Sequence, residues 1–396
     1  MERQSATVRV DLSRGERDRS YDVLIREGIL EELAAGSLRL PDAESYYIVT
    51  DSNVARLYGR KLRKGLSGLG RGTKAELLSF PAGEAQKNVG TAWALASRLG
   101  ALGAERGSIV LALGGGVVGD VAGFVASIYK RGIGYVQIPT TLLAQVDSGI
   151  GGKTGVDAPW GKNQIGTFHQ PLAVLADPSV LGTLPRGEWV NGVAEIVKCA
   201  IIADEEMFER ISSSSYSLPA GSVDGSSSLP GIPVELIVGA CRVKADAVSR
   251  DERELDLRAI LNYGHTVGHA LESASNYRLS HGASVILGML AEGWIASQMG
   301  VFREADYEKQ TELLLRVWKD AGVGGRLLRP VLGNKRRLVK FALADKKTVS
   351  SSLRMSVPER LGRMHTTKEG SHKIPVSEEA FLRSIDHLRE TLPSRG

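Results

Sequence analysis

The first 186 residues alternate short apolar runs with stretches of helical periodicity. "YYIVTDSN" (46–53) and "SIVLALGGG" (108–116) are apolar segments closed by turn residues, the pattern of strands buried on both faces. "GYVQIPTT" (134–141) reads as another strand, stopped by Pro139. Strands separated by helices predict a parallel sheet with crossover connections, hence a Rossmann-like α/β domain over 1–186. From 187 the period lengthens. Apolar positions at helical spacing predict amphipathic helices over 187–202, 233–249, 260–276, 282–299 and 305–321, a mostly α-helical domain over 187–396. "SSSSYSLPAGSVDGSSSLPG" (212–231) interrupts it and is too polar to pack a core, so a flexible surface insertion is expected there.

Composition narrows the class. With 42% hydrophobic and 24% charged residues, the 396-residue chain reads as a soluble globular protein large enough for two domains. "MERQSATVRV" lacks the apolar core of a signal peptide and no apolar run approaches the ~20 residues of a membrane span, so a cytoplasmic protein without a membrane partner is expected. Two cysteines, Cys199 and Cys241, make no disulfide framework and agree with a reducing compartment. The net charge of +5 is spread along the chain. Its one short cluster, "NKRR" (334–337), reads as a solvated face rather than a nucleic-acid patch, and a basic balance suits an anionic small molecule.

Several stretches carry chemistry. In "LALGGGVVGDVAGFVAS" a strand runs through Gly114, Gly115 and Gly116 into a helix whose first turns hold Gly119 and Asp120. Such a turn lets backbone approach a pyrophosphate at a helix N-terminus; a tight turn without a ligand is the alternative. Asp51 and Asn53 end an earlier strand, where a carboxylate can hydrogen-bond a ribose, or where both simply face water. Arg258, Asn262, His265 and His269 are spaced 4, 3 and 4, which places them on one face if helical winding runs from Arg258 into the expected 260–276 helix, either as an anion and metal surface or as plain surface polars. On 187–202, Asn191, Glu195 and Lys198 form a narrow polar face opposite a wide apolar one. A carboxylate so placed needs a metal or Lys198 to relieve it. His281 is the third imidazole of the seven in the chain to fall within 265–281. Glu195, His265 and His281 together form a His₂Glu zinc set with room for substrate. "VDSGIGGKTGVDAPWGKNQIGTFHQP" (146–171) presents Asp147, Lys153, Lys162 and Asn163 among glycines, an expected loop for phosphate and carboxylate groups.

The order and spacing of "GGGVVGDVAGF", "QIPTTLLAQVDS", "GGKTGV", "GKNQIG", "NGVAEIVK" and "LNYGHTVGHALE" resemble the 3-dehydroquinate synthase family of sugar phosphate cyclases over about 46–347. The resemblance implies the second step of the shikimate pathway on 3-deoxy-D-arabino-heptulosonate 7-phosphate. In it, NAD⁺ transiently oxidises the carbon 5 alcohol beside Zn²⁺ or Co²⁺. Phosphate then leaves by β-elimination, the hydride returns, and ring opening with an aldol closure gives 3-dehydroquinate. By the same likeness Glu195, His265 and His281 hold the metal, while His269, Glu254 and Lys198 are catalytic. Substrate contacts fall to Arg131, Asp147, Lys153, Asn163, Lys198, Lys244, Arg258, Asn262 and Lys346, with Lys347 the alternative to the last. Dinucleotide contacts fall to Asp51, Asn53, Glu84, Lys87, Gly114, Gly115, Gly116, Gly119, Asp120, Thr140, Thr141, Lys153, Lys162 and Thr183. A homodimer is implied, with Arg131 reaching the partner's site.

Departures are few. Gly149 stands where the family more often has Ser and is expected to loosen its loop. The insertion and the "RMHTTKEGSHK" tail are expected to be surface variation away from the matched sites. Related cyclases acting on sedoheptulose 7-phosphate or glucose 6-phosphate, and metal-dependent alcohol dehydrogenases of the glycerol dehydrogenase type, are the enzymatic alternatives. Lys153, Lys244 and Arg258 argue for a substrate carboxylate that those cyclase substrates lack. A non-catalytic nucleotide-binding module would have lost part of the triad or the lysine set, and neither is damaged.

Overall fold

The computed structural model describes residues 5–13, 18–68, 74–214, 232–344 and 353–392. Lys346, Lys347 and most of the 212–231 insertion lie outside the described residues. The described residues gather into two compact units. One holds 5–184 with 233–249; the other holds 185–214, 232 and 250–392.

In the first unit the strands are β1 (Ser5–Val10), β2 (Tyr21–Arg26), β3 (Ser45–Asp51), β4 (Lys74–Phe80), β5 (Ile109–Gly114), β6 (Gly134–Pro139), β7 (Lys153–Ala158), β8 (Gly161–Phe168) and β9 (Ala173–Ala176). Seven of them form one sheet in the order β1-β2-β9-β6-β5-β3-β4, parallel except for the β1–β2 pair. Every residue of β5 is buried, as an apolar run in the middle of a parallel sheet must be. Alternate positions feed two cores: Val110 and Ala112 pack with Val121 and Val125, whereas Ile109, Leu111 and Leu113 pack with Ile29, Leu33 and Leu62. The stretch expected as an open phosphate loop is largely the β7–β8 hairpin. Its glycines serve close backbone approach, since a Cβ on Gly166 would lie 2.3 Å from the Thr154 carbonyl oxygen. Gly149 tightens its turn rather than loosening it: its N–H donates to the Ala144 carbonyl at 2.9 Å, and a Cβ there would lie 2.6 Å from that same oxygen.

The second unit is mainly helical, with long helices Arg186–Ala203, His265–Ala274, His281–Gln298, Glu304–Ala321 and Glu378–Thr391. None in the described residues is long and apolar enough to cross a membrane. The continuous 260–276 helix does not form. A tight helical turn, Leu257–Asn262, is followed by Tyr263 in an extended conformation and Gly264 at φ 79°, and the helix proper begins at His265. The reason is crowding: a Cβ on Gly264 would lie 2.6 Å from Met289 Cγ, and one on Gly288 would lie 1.7 Å from the Gly264 carbonyl oxygen. Two helices that approach so closely leave no room for a straight continuation. Arg258 and Asn262 therefore do not share a helical face with His265 and His269. The polar face of Arg186–Ala203 is enclosed, with Asn191, Glu195 and Lys198 all buried.

Candidate functional site

Three helix segments of the second unit bring Glu195, His265 and His281 together. Glu195 projects from the middle of Arg186–Ala203, whereas His265 and His281 are the first residues of their helices. Close contacts hold the starting turns in place. The Gly282 N–H donates to Asn191 Oδ1 at 2.8 Å, four residues before Glu195, and a Cβ on Gly268 would lie 3.0 Å from the Ser284 carbonyl oxygen. His265 Nδ1 donates to the Tyr263 carbonyl at 3.1 Å, which turns Nε2 inward.

Glu195 Oε1 then faces His265 Nε2 at 3.6 Å and His281 Nε2 at 3.4 Å, with the carboxylate fully buried. Those separations are too long for good hydrogen bonds, so Oε1 is buried without a close hydrogen-bond donor, while Oε2 meets the Lys198 ammonium. They fit a shared ion. Tetrahedral bonds of about 2.1 Å place neighbouring ligand atoms about 3.4 Å apart, and one ligand atom from each of the three residues lies within 4.8 Å of the others. Burial pushes the Glu195 carboxyl up, but the Lys198 ammonium in contact with it, followed by His281 and His265, holds it well below the usual range. Burial and then Lys198 push His265 well below its usual value, which keeps its Nε2 lone pair available. Burial also pulls His281 down, but contacts with Glu195 and Glu272 outweigh it and raise it to about 9. Glu272, 3.7 Å from His281 Nδ1, was not among the expected site residues. Its signal was its spacing, three residues beyond His269 on the same face. His269 stands with its ring 5.1 Å from that of His265 and 6.4 Å from that of His281.

Beside this set runs the 251–262 segment. Asp251 accepts backbone N–H groups from Leu255, Asp256 and Arg258, which folds the segment back on itself. Glu254 sits at φ 58° and accepts from Asn262 Nδ2 at 2.6 Å; Arg258 is 1% exposed and donates to the Glu252 carbonyl. The tail is not remote from these residues. Asp256 accepts from Ser371 Oγ at 3.1 Å and from the His372 N–H at 3.2 Å, so the tail holds the segment that carries Glu254 and Arg258.

In the first unit, Lys87 Nζ lies 2.6 Å from Asp120 Oδ2 and 2.5 Å from Asn163 Oδ1, and Lys162 pairs with Glu84 at 3.3 Å. Burial pulls Lys87 down, but Asp120 outweighs it and raises the ammonium above its usual value. The glycine turn is tight in space rather than strained. Cβ atoms on Gly114 and Gly119 would meet Val118 and Gln137 within 3 Å, while those on Gly115 and Gly116 would meet Thr141 and Ser148. Thr140 donates its N–H to the Gly114 carbonyl, and Thr141 Oγ1 accepts from Ala144. Asp51 is occupied as a helix cap, accepting from Asn53 and Val54, and Asn53 accepts from Arg56. Thr183 bonds to Tyr58. Lys244 Nζ meets Asp147 at 2.6 Å, whereas Lys153 and Arg131 are exposed, Arg131 at φ 67°.

Residues 77–191 match the family described as 3-dehydroquinate synthase N-terminal, and residues 192–348 its C-terminal counterpart. A 3-dehydroquinate synthase of Thermodesulfovibrio yellowstonii is 40% identical over 348 residues, 88% of this chain and 93% of that one. A solved 2-epi-5-epi-valiolone synthase from Streptomyces hygroscopicus with NAD⁺ and Zn²⁺ bound aligns at TM-score 0.75 and 27% identity, covering 95% of this chain and 98% of that one. A 2-deoxy-scyllo-inosose synthase complexed with carbaglucose-6-phosphate, NAD⁺ and Co²⁺ shares the fold at TM-score 0.80 and 24% identity, covering 96% and 99%.

Proposed function

We propose the following chemistry for this chain, which belongs to the 3-dehydroquinate synthase family: it converts 3-deoxy-D-arabino-heptulosonate 7-phosphate to 3-dehydroquinate and phosphate. The enzyme is a phosphate-eliminating lyase that uses NAD⁺ and a divalent metal, Zn²⁺ or Co²⁺. Bound, these groups supply a transient hydride acceptor for carbon 5 and a Lewis acid for the oxygen there. The observation that carries the reading is the buried Glu195 oxygen facing two imidazole nitrogens at 3.4 and 3.6 Å. We assign Glu195, His265 and His281 as the metal ligands.

Lys198 lies against Glu195 and is buried, a cation placed to hold negative charge on substrate oxygens in a dry site. His269 is one helical turn from His265, and its Nδ1/Nε2 pair suits proton transfer to or from the leaving phosphate. Glu254, held by Asn262 in a left-handed backbone conformation, is assigned a catalytic carboxylate role. Arg258 and Asn262 come from that same capped segment. Lys153, Lys244, Asp147, Asn163, Arg131 and Lys346 complete the proposed substrate contacts. Lys153, Lys244 and Arg258 are the reason to prefer a carboxylate-bearing heptulosonate over sedoheptulose 7-phosphate or glucose 6-phosphate, since cations in a site raise affinity for a matching anion. The 5–184 unit, with its Lys87–Asp120–Asn163 cluster, is assigned to NAD⁺, and the helical unit of 185–214 and 250–392 to the metal. A cytoplasmic homodimer, with Arg131 serving the partner's site, completes the proposal.

The test supplies purified protein with the heptulosonate phosphate, NAD⁺ and Zn²⁺ or Co²⁺, and follows released phosphate together with absorbance at about 340 nm. A cycle that returns its hydride releases phosphate without accumulating NADH. Steady NADH accumulation would instead mark a dehydrogenase, and turnover of sedoheptulose 7-phosphate at equal rate would remove the carboxylate argument.

A further inference from the structure

Gly264 is the N-cap of the His265 helix and has no side chain to cap it. The helix therefore starts with N–H groups that its own sequence cannot satisfy. Glu292, fully buried on the neighbouring His281–Gln298 helix, accepts two of them. Its Oε2 accepts the Gly264 N–H at 2.8 Å and its Oε1 accepts the Val267 N–H at 2.8 Å. In a capping box the N-cap and third residues of one helix exchange these same two bonds through their own side chains. Here one carboxylate from another helix makes both, and the two N–H groups it holds bracket His265.

The reference frame of His265 is thus the helix that begins with His281. Tyr263, whose carbonyl orients the His265 ring, is tied to the same helix: its hydroxyl donates to the Met289 carbonyl at 3.0 Å and lies 2.8 Å from Gln310 Oε1. Glu292 lies eleven residues after His281, three turns along one helical face. A cation tolerates misplacement of its ligands by no more than about 0.5 Å, so an anchor that sets one ligand's backbone against the helix of another acts directly on the ligand geometry.

We infer that Glu292 is a positioning residue for the metal centre, acting through the first turn of the His265 helix rather than by touching the ion. The inference rests on the assignment of Glu195, His265 and His281 as ligands. Glu292→Gln keeps the shape but presents an NH₂ to one of two buried N–H donors, leaving that donor unsatisfied.

The experiment titrates Co²⁺ into metal-free wild type, Glu292→Gln and His265→Ala, reading affinity by chelator competition and ligand geometry by the visible d–d band, with circular dichroism as a check on folding. Glu292→Gln is expected to fold, to bind Co²⁺ about 10–100-fold more weakly, and to show a shifted d–d band at saturation. Affinity within about twofold of wild type with an unchanged band would overturn the inference. So would weaker affinity with an unchanged band, since that pattern marks general loosening only. If His265→Ala keeps wild-type affinity and band, the ligand assignment itself fails, whatever Glu292→Gln does.

Discussion

Gly282→Ala tests whether the starting turns of two helices set the metal geometry. The added Cβ would lie 2.6 Å from Asn191 Cα and from the Val190 carbonyl oxygen, and 2.9 Å from the Asn191 nitrogen. All three are backbone atoms of a buried helix and cannot swing aside. Ordinary carbon contacts begin near 3.5 Å, so the His281 turn must retreat from Arg186–Ala203 by about 0.8–1 Å. His281 is the adjacent residue, and the ligand it faces, Glu195, is on the helix being pushed away. The shift exceeds the ~0.5 Å that a preorganised site tolerates. It also stretches the Gly282 N–H bond to Asn191, now 2.8 Å. Overpacking of this kind costs about 1–3 kcal/mol of stability, and we expect Zn²⁺ affinity to fall about 10–100-fold. Calorimetry of the metal-free protein reads the first and chelator competition the second. Gly333→Ala, where nothing lies within 4 Å of the new Cβ, is the control and is expected to change neither. Wild-type stability together with wild-type Zn²⁺ affinity in Gly282→Ala would refute the reasoning.

Two further outcomes follow from the same geometry. His265→Ala is expected to lose metal and activity together, whereas His269→Ala keeps its metal and loses mainly turnover rate; atomic absorption beside a phosphate-release assay separates them, and equal metal loss would mean the pair is misassigned. Asp251 is held below its ordinary pKa, since three backbone N–H groups outweigh a burial effect that by itself would raise it. Its lowered folded value means its contribution to stability is fully present above the unfolded carboxyl's pKa of about 3.9 and fades as pH falls through the folded one. Urea unfolding of wild type and Asp251→Asn should therefore differ at pH 7 and converge in acid; a constant gap across that range would remove the carboxylate from the account.

Much of the fold was legible because parallel strands and long helices carry strong periodic signals. The 46–53, 108–116 and 134–141 runs became β3, β5 and β6 within a few residues, and Arg186–Ala203, His281–Gln298 and Glu304–Ala321 begin within one residue of their expected starts. The interruption of the expected 260–276 helix is invisible in the sequence because it is not a local preference. The residues around Gly264 have helical spacing, and it is Val285, Gly288 and Met289 of another helix that crowd the break. The 146–171 stretch misled for a related reason: glycines that permit two backbones to approach look in sequence like glycines of an open loop. The tail reads in sequence as surface variation, although Ser371 and His372 meet Asp256.

The candidate metal triad could be named from residue types alone, because few chemistries suit a carboxylate amid apolar neighbours together with clustered imidazoles. Its supporting groups could not. Glu272 and Glu292 are ordinary acidic residues at helical positions, indistinguishable in a linear chain from solvated ones. What makes them matter is the distance from Glu272 to a ring nitrogen of His281 and from Glu292 to two N–H groups on another helix. Residue identity and period carry burial and chemistry. The aim of a buried side chain across helices is settled by packing, where a missing Cβ or one extra carbonyl decides which partner lies within 3 Å.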